Sequence, residues 1–132
     1  MSDLDVSRSA KDWKTSTHHG AGEWIAERFT SLVLIPLTLW CAWAACQVVN
    51  HPLEDVRAFV GAPLNAGLIA ATMLITVWHM YMGLKVIVDD YLAGPMRGFV
   101  MFLIVILCLA VLVASGGALW CIHTGSNPLG AA

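Results

Sequence analysis

The chain has 132 residues, 58% of them hydrophobic and only 12% charged, with a formal net charge of −2. Soluble domains carry roughly a quarter of charged residues, so this composition belongs to an integral membrane protein. The near-neutral balance offers no basic patch for nucleic acid, and too little chain lies outside the apolar runs to form a soluble catalytic domain.

In chain order, residues 1–22 are polar: Arg8, Lys11 and Lys14 are opposed by Asp3, Asp5 and Asp12, without a sustained apolar period. They read as an extended N-terminal arm, with His18, His19 and Gly20 favouring loop over helix and the two imidazoles solvated. More than twenty polar residues before the first apolar run do not make a secretory signal, so the first span is expected to stay in the mature protein. No charge falls between Arg28 and Glu54, between Arg57 and Lys85, or after Arg97. Each uncharged run covers the roughly 20 residues that a helix needs to cross a hydrocarbon core.

The expected fold is therefore all-α, with three transmembrane helices over about 29–49, 64–88 and 98–120 within a membrane domain 23–121, and a short tail 122–132. Pro36 inside the first span removes a donor and frees the Leu32 carbonyl, which predicts a local bend eased by Thr or Ser hydroxyls. Residues 50–63 form a loop with a turn of interfacial helix around Leu53–Val60. Asp89–Arg97 reads as a turn in which Gly94 and Pro95 stop the second helix, and Ser115, Gly116 and Gly117 supply small residues for close helix contact. Cys41, Cys46, Cys108 and Cys121 contain no C-x-x-C pair and read as small buried hydrophobes.

Lys and Arg cluster before the first span (Arg8, Lys11, Lys14, Arg28) and around the second turn (Lys85, Arg97), against Arg57 alone in the first loop and none in the tail. The positive-inside rule then predicts a cytoplasmic N-terminus and a periplasmic C-terminus. Arg28 and the cluster Asp89, Asp90, Tyr91 fall on the same inner side. At that boundary Arg28 either snorkels to lipid headgroups or binds another anion.

The stretch WHMYMGLKVIVDDY, Trp78–Tyr91, carries the chemistry. His79 stands near the bilayer midplane, where a protonated imidazole is costly. Two readings fit: a neutral ligand of haem iron with a hydrogen bond on its other nitrogen, or a packing histidine satisfied by a neighbour. Gly83, one turn on, leaves room on the same side for a flat macrocycle or another helix. His18, His19, His51 and His123 all lie at the ends of spans, so a bis-histidine haem takes its second ligand from another polypeptide. Asp90 is eleven residues from His79, within about 20° of whole helical turns, and Tyr91 projects about 100° further round. A phenol beside a carboxylate at the wet end of a span suits a quinone, which needs hydrogen bonds at its carbonyls and protons on reduction. An aromatic-belt tyrosine with a solubilising aspartate is the plainer alternative.

His79-x-x-x-Gly83 followed by Asp89-Asp90-Tyr91 resembles the membrane anchor subunits of succinate dehydrogenase, respiratory complex II, the small partners of the cytochrome b subunit. Trp24, Arg28, Thr30 and the run Leu34–Trp40 resemble the entry to the first helix of bacterial and mitochondrial-type anchors. The resemblance covers about Gly20–Trp120. It implies that His79 is an axial ligand of a haem b shared with the cytochrome b subunit, that Arg28 lies near the haem propionates, and that Tyr91 hydrogen-bonds a ubiquinone carbonyl with Asp90 in support. It implies partnership with the cytochrome b, iron-sulfur and flavoprotein subunits in a bacterial inner membrane, with succinate oxidised on those other chains. Two readings from other classes are a small transport or channel subunit using His79 and Asp90 as a proton relay, and a purely structural anchor.

Overall fold

The computed structural model describes residues 3–126, with side chains from residue 21 onward. Four helices follow in order: α1 (Asp3–Val48), α2 (Leu53–Gly61), α3 (Pro63–Tyr91) and α4 (Pro95–Thr124). Three segments are long and apolar enough to cross a membrane: Ala21–Val48 of α1, Pro63–Tyr91 and Pro95–Thr124. The three-span expectation therefore holds, with each helix extending a few residues past the expected span at the end that carries Arg28, Asp89–Tyr91 or Arg97.

The arm departs from expectation. Instead of an extended segment, its backbone continues α1 upstream to Asp3, through His18–Gly20. No proline precedes Pro36 in the sequence, and an internal glycine costs a helix only about 1 kcal/mol, which Gly20 and Gly22 do not raise to a break. The side chains of His18 and His19 lie outside the described residues. Pro36 sits inside α1, which remains one element. Thr38 donates to the Leu34 and Ile35 carbonyls at 2.8 and 2.9 Å, so the nearby hydroxyl does not serve the Leu32 carbonyl that the proline frees.

Connections are short and have local causes. Asn50, at φ 65°, turns the chain after α1, a left-handed position that Asn tolerates better than most side chains. Glu54 and Asp55 occupy the first turn of α2, complementing its positive end. The expected turn at 89–97 narrows to Leu92–Gly94, because α3 stays helical through Asp89, Asp90 and Tyr91 and the Leu92 amide still bonds to the Val88 carbonyl at 2.9 Å. Gly94 adopts φ 65°, ψ −149°, a region essentially restricted to glycine. Pro95 then opens α4 at a position where its missing donor costs nothing. Across this turn Arg97 Nε donates to Asp89 Oδ1 at 2.7 Å.

α3 is the central helix: it packs against both α1 and α4, and α1 and α4 do not meet among the described residues. α2 lies across one end, touching all three long helices. Trp43 and Phe59 pack with centroids 6.3 Å apart, Asn65 Nδ2 donates to the Phe59 carbonyl at 2.8 Å, and His123 Nδ1 donates to the Gly61 carbonyl at 2.8 Å. The buried apolar set is only Val77, Met82, Val88 and Cys108 among the described residues, while Phe29, Leu32, Leu64, Phe99, Phe102 and Val113 are exposed. Those faces are left to lipid or to other chains, since the described residues bury little core of their own. Of the four cysteines, Cys108 is buried, Cys41 and Cys121 are half-buried and Cys46 is exposed; all are free thiols.

The small-residue stripe of α4 behaves differently from expectation. A side chain added at Gly116 or Gly117 would meet nothing within 4 Å. Beside Gly116, Ser115, Ala70 and Met73 border an open cavity of about 220 Å³ between α3 and α4. The close contact that these residues permit is not made inside this chain.

Candidate functional site

The site is organised by the antiparallel seam between α1 and α3. At its inner end, as the charge distribution orients it, Lys85 Nζ pairs with Glu23 Oε1. Seven residues along α1 from Glu23 and six along α3 from Lys85 stand Thr30 and His79, about 9–10 Å deeper by helical rise. They meet: Thr30 Oγ1 and His79 Nδ1 are 2.9 Å apart. Further along the seam Cys41 Sγ and Thr72 Oγ1 approach to 3.9 Å. An ion pair at one end of the seam thus shares the register that puts one hydroxyl opposite one imidazole.

His79 lies twelve residues from the end of α3 at Tyr91 and sixteen from its start at Pro63, so it sits about 18 Å and 24 Å from the two ends of the helix. Thr30 Oγ1 also reaches the carbonyls of Ala26 at 2.9 Å and Glu27 at 3.0 Å on its own helix. His79 is half-buried and, among the described residues, makes no hydrogen bond through Nε2. Gly83, one turn along the same face, has open space where a Cβ would be. A ring nitrogen without a protein partner beside a gap one side chain deep, with the opposite nitrogen hydrogen-bonded, fits a metal-bearing planar group. The residues present therefore suit haem: His79 would hold its iron, and Gly83 would let the macrocycle approach.

Arg28 is not brought to His79. It lies two residues, about 200°, round the helix from Thr30; it is exposed, with its guanidinium carbon 5.3 Å from the Trp24 ring centroid, a cation–π arrangement. It does share His79's level in the membrane, since two residues are only about 3 Å of helical rise. Beside it, Trp24, Glu27, Trp78 and Tyr81 border a cleft of about 500 Å³ over the Glu23–Lys85 pair.

Asp90 and Tyr91 end α3. Because the helix persists that far, Asp90 does share the His79 face, about 16 Å away along the axis. Tyr91 is 83% exposed, and neither side chain has a hydrogen-bond partner among the described residues. Their polar atoms are free for a molecule outside this chain. Asp89, by contrast, is engaged by Arg97.

Sequence reasoning thus located His79, Gly83, Asp90 and Tyr91 on one helix but missed the contact of Thr30 with His79 and both ion pairs. The opposite charges of Glu23 and Lys85 near matching ends of adjoining spans were the available signal, since the register that pairs them also brings Thr30 opposite His79.

A model of the succinate dehydrogenase/fumarate reductase transmembrane subunit family matches residues 6–114. Among curated relatives, the succinate dehydrogenase hydrophobic membrane anchor subunit of Rickettsia typhi is 23% identical, over 82% of this chain and 84% of its own length. That of Paracoccus denitrificans is 26% identical, over 85% and 87%, and the succinate dehydrogenase membrane anchor subunit of Reclinomonas americana is 26% identical, over 73% and 83%. No solved structure matches. With the family pattern running through all three membrane-crossing helices, the chain belongs to the succinate dehydrogenase/fumarate reductase transmembrane subunits.

Proposed function

We propose that the chain is the hydrophobic anchor of a succinate:ubiquinone oxidoreductase, holding the flavoprotein and iron-sulfur subunits at the inner face of a bacterial cytoplasmic membrane. With a cytochrome b subunit it contributes to a shared haem b site and to the site of ubiquinone reduction. The family assignment supports the anchoring role. The observation that carries the haem reading is His79 in the middle of α3, hydrogen-bonded through Nδ1 and without a partner at Nε2 among the described residues.

Each residue has a separate task. His79 would hold the haem iron through Nε2, with a second imidazole supplied by the cytochrome b subunit. His51 lies next to Asp55 in the first loop and His123 is tied to Gly61, both at the far end from Tyr91, and His18 and His19 are eleven or twelve residues along α1 from Thr30, about 17 Å away in depth. When bound, haem supplies a one-electron redox centre inside the membrane. Arg28, at the level of His79 on an exposed face, would hold a propionate carboxylate by charge-assisted hydrogen bonds. At the inner boundary the Tyr91 hydroxyl donates to a quinone carbonyl oxygen, and Asp90 holds or passes a proton there. A cytoplasmic N-terminus, from the Lys and Arg distribution, faces this boundary toward the soluble subunits.

A proton relay from His79 to Asp90 is less well supported. The intervening positions on that face are Met82, Gly83 and Val86, none of which carries an exchangeable side-chain proton.

The test is purification of the complex through a tag on this chain. Flavoprotein, iron-sulfur and cytochrome b subunits are expected to copurify, with a reducible b-type absorption band that His79→Ala removes or weakens. A wild-type complex lacking that band contradicts the haem reading and leaves the anchoring role; a tagged chain that brings down none of the three contradicts both.

A further inference from the structure

We propose that Thr30 is a positioning residue for His79: its hydroxyl oxygen accepts the Nδ1 proton, fixes the tautomer, and leaves Nε2 as the metal-binding nitrogen. This rests on haem ligation by His79.

The argument is a proton count. A hydroxyl has one proton and two lone pairs. Thr30 Oγ1 lies within hydrogen-bond distance of three groups: the Ala26 carbonyl, the Glu27 carbonyl and His79 Nδ1. Both carbonyls are acceptors only, so while the hydroxyl proton serves them the oxygen is free to accept from the third group. With the proton on Nδ1, all three contacts are made at once. With the proton on Nε2, the hydroxyl must turn to Nδ1, both carbonyl contacts are given up, and the Nε2–H is left without an acceptor among the described residues. An unsatisfied donor in hydrocarbon costs several kcal/mol, so the Nδ1–H form is the one this neighbourhood selects.

The choice of threonine follows from the same geometry. Its β-branch allows few side-chain rotamers in a helix, and bonding to the i−4 carbonyl holds one of them. The oxygen is thereby aimed across the seam before His79 arrives, in the register that also forms the Glu23–Lys85 pair. An acceptor on the far nitrogen raises the basicity of an imidazole ligand and fixes its ring plane. Thr30 therefore acts on the metal through His79 without touching it, favouring the ferric state.

The experiment compares Thr30→Val, which keeps the shape and removes the hydroxyl, with Thr30→Ser, which keeps the hydroxyl. Thr38→Val is the control, a threonine on the same helix that bonds only to its own backbone. All are made in the complete complex, and the readouts are the haem midpoint potential and haem retained per complex during detergent washing. Thr30→Val is expected to raise the potential by up to the 59 mV that a tenfold change represents for a one-electron couple. It should weaken haem retention about tenfold or more, the usual effect of losing an outer hydrogen-bond partner. Thr30→Ser and Thr38→Val should stay near wild type. Should Thr30→Val fail to assemble, the smaller Thr30→Ala carries the same comparison. A valine or alanine variant with wild-type potential and retention overturns the role of Thr30 while leaving His79 ligation intact. A serine variant as impaired as the valine one also overturns it, by assigning the effect to the methyl group. Absence of any b-type haem in the wild-type complex overturns the ligation and this inference together.

Discussion

Tyr91→Phe isolates the proposed quinone contact. The hydroxyl it removes has no hydrogen-bond partner within the described residues, and the side chain is 83% exposed at the last residue of α3. Removing it therefore takes nothing from the chain's own packing, and assembly and haem content should be unchanged. What is lost is one hydrogen bond to a quinone carbonyl, worth about 0.5–1.5 kcal/mol, or a roughly 2- to 12-fold loss in succinate-driven ubiquinone reduction. If Tyr91 also delivers a proton as the quinone is reduced, the loss should rise to about 100-fold or more. The control is succinate-driven reduction of a soluble dye that takes electrons before the quinone, which should be spared. Equal loss in both assays, or none in either, would refute the placement of Tyr91 at the quinone.

Two further substitutions probe the geometry. Gly83→Leu puts a side chain into space that is empty of this chain's atoms, so the helices should still assemble while the b-type band is lost; an unchanged spectrum would show that the gap beside His79 is not where the macrocycle lies. Gly94→Ala forces an L-residue into φ 65°, ψ −149°, at a cost of about 1–3 kcal/mol; lowered thermal stability of the complex, with the haem spectrum retained, is expected, and wild-type stability would argue against that turn.

The spans were legible because hydrocarbon tolerates so few arrangements: an uncharged run of sufficient length must be helical, and Arg28, Arg57, Lys85 and Arg97 mark where such runs stop. His79 was legible for the same reason, its cost at mid-depth demanding a partner. The helical Asp3–Gly20 backbone was not, because a charged segment with an internal His-His-Gly satisfies its backbone equally well in water or in a helix, and local pattern does not choose. The partner of His79 was not legible either. Thr30 meets it only through the packing register of two helices forty-nine positions apart in sequence, which no local pattern encodes. Asp89 gained its role in the same way, from Arg97 across a turn shorter than composition suggested. Gly116 and Gly117 were read as contact formers from their size alone, and the helix packing of this chain leaves open space beside both.

The open arrangement of the helices also bears on biogenesis. With α1 and α4 both packed on α3 but not on each other among the described residues, the newly inserted chain is not a closed bundle: His79 keeps a ring nitrogen without a partner among those residues, and an open groove beside Ser115 lies between α3 and α4. Such a chain has more to gain from a second subunit than from further folding. Its lifetime in the membrane should therefore depend on the supply of that partner, and an excess of orphan copies should be short-lived even when their three spans are correctly inserted.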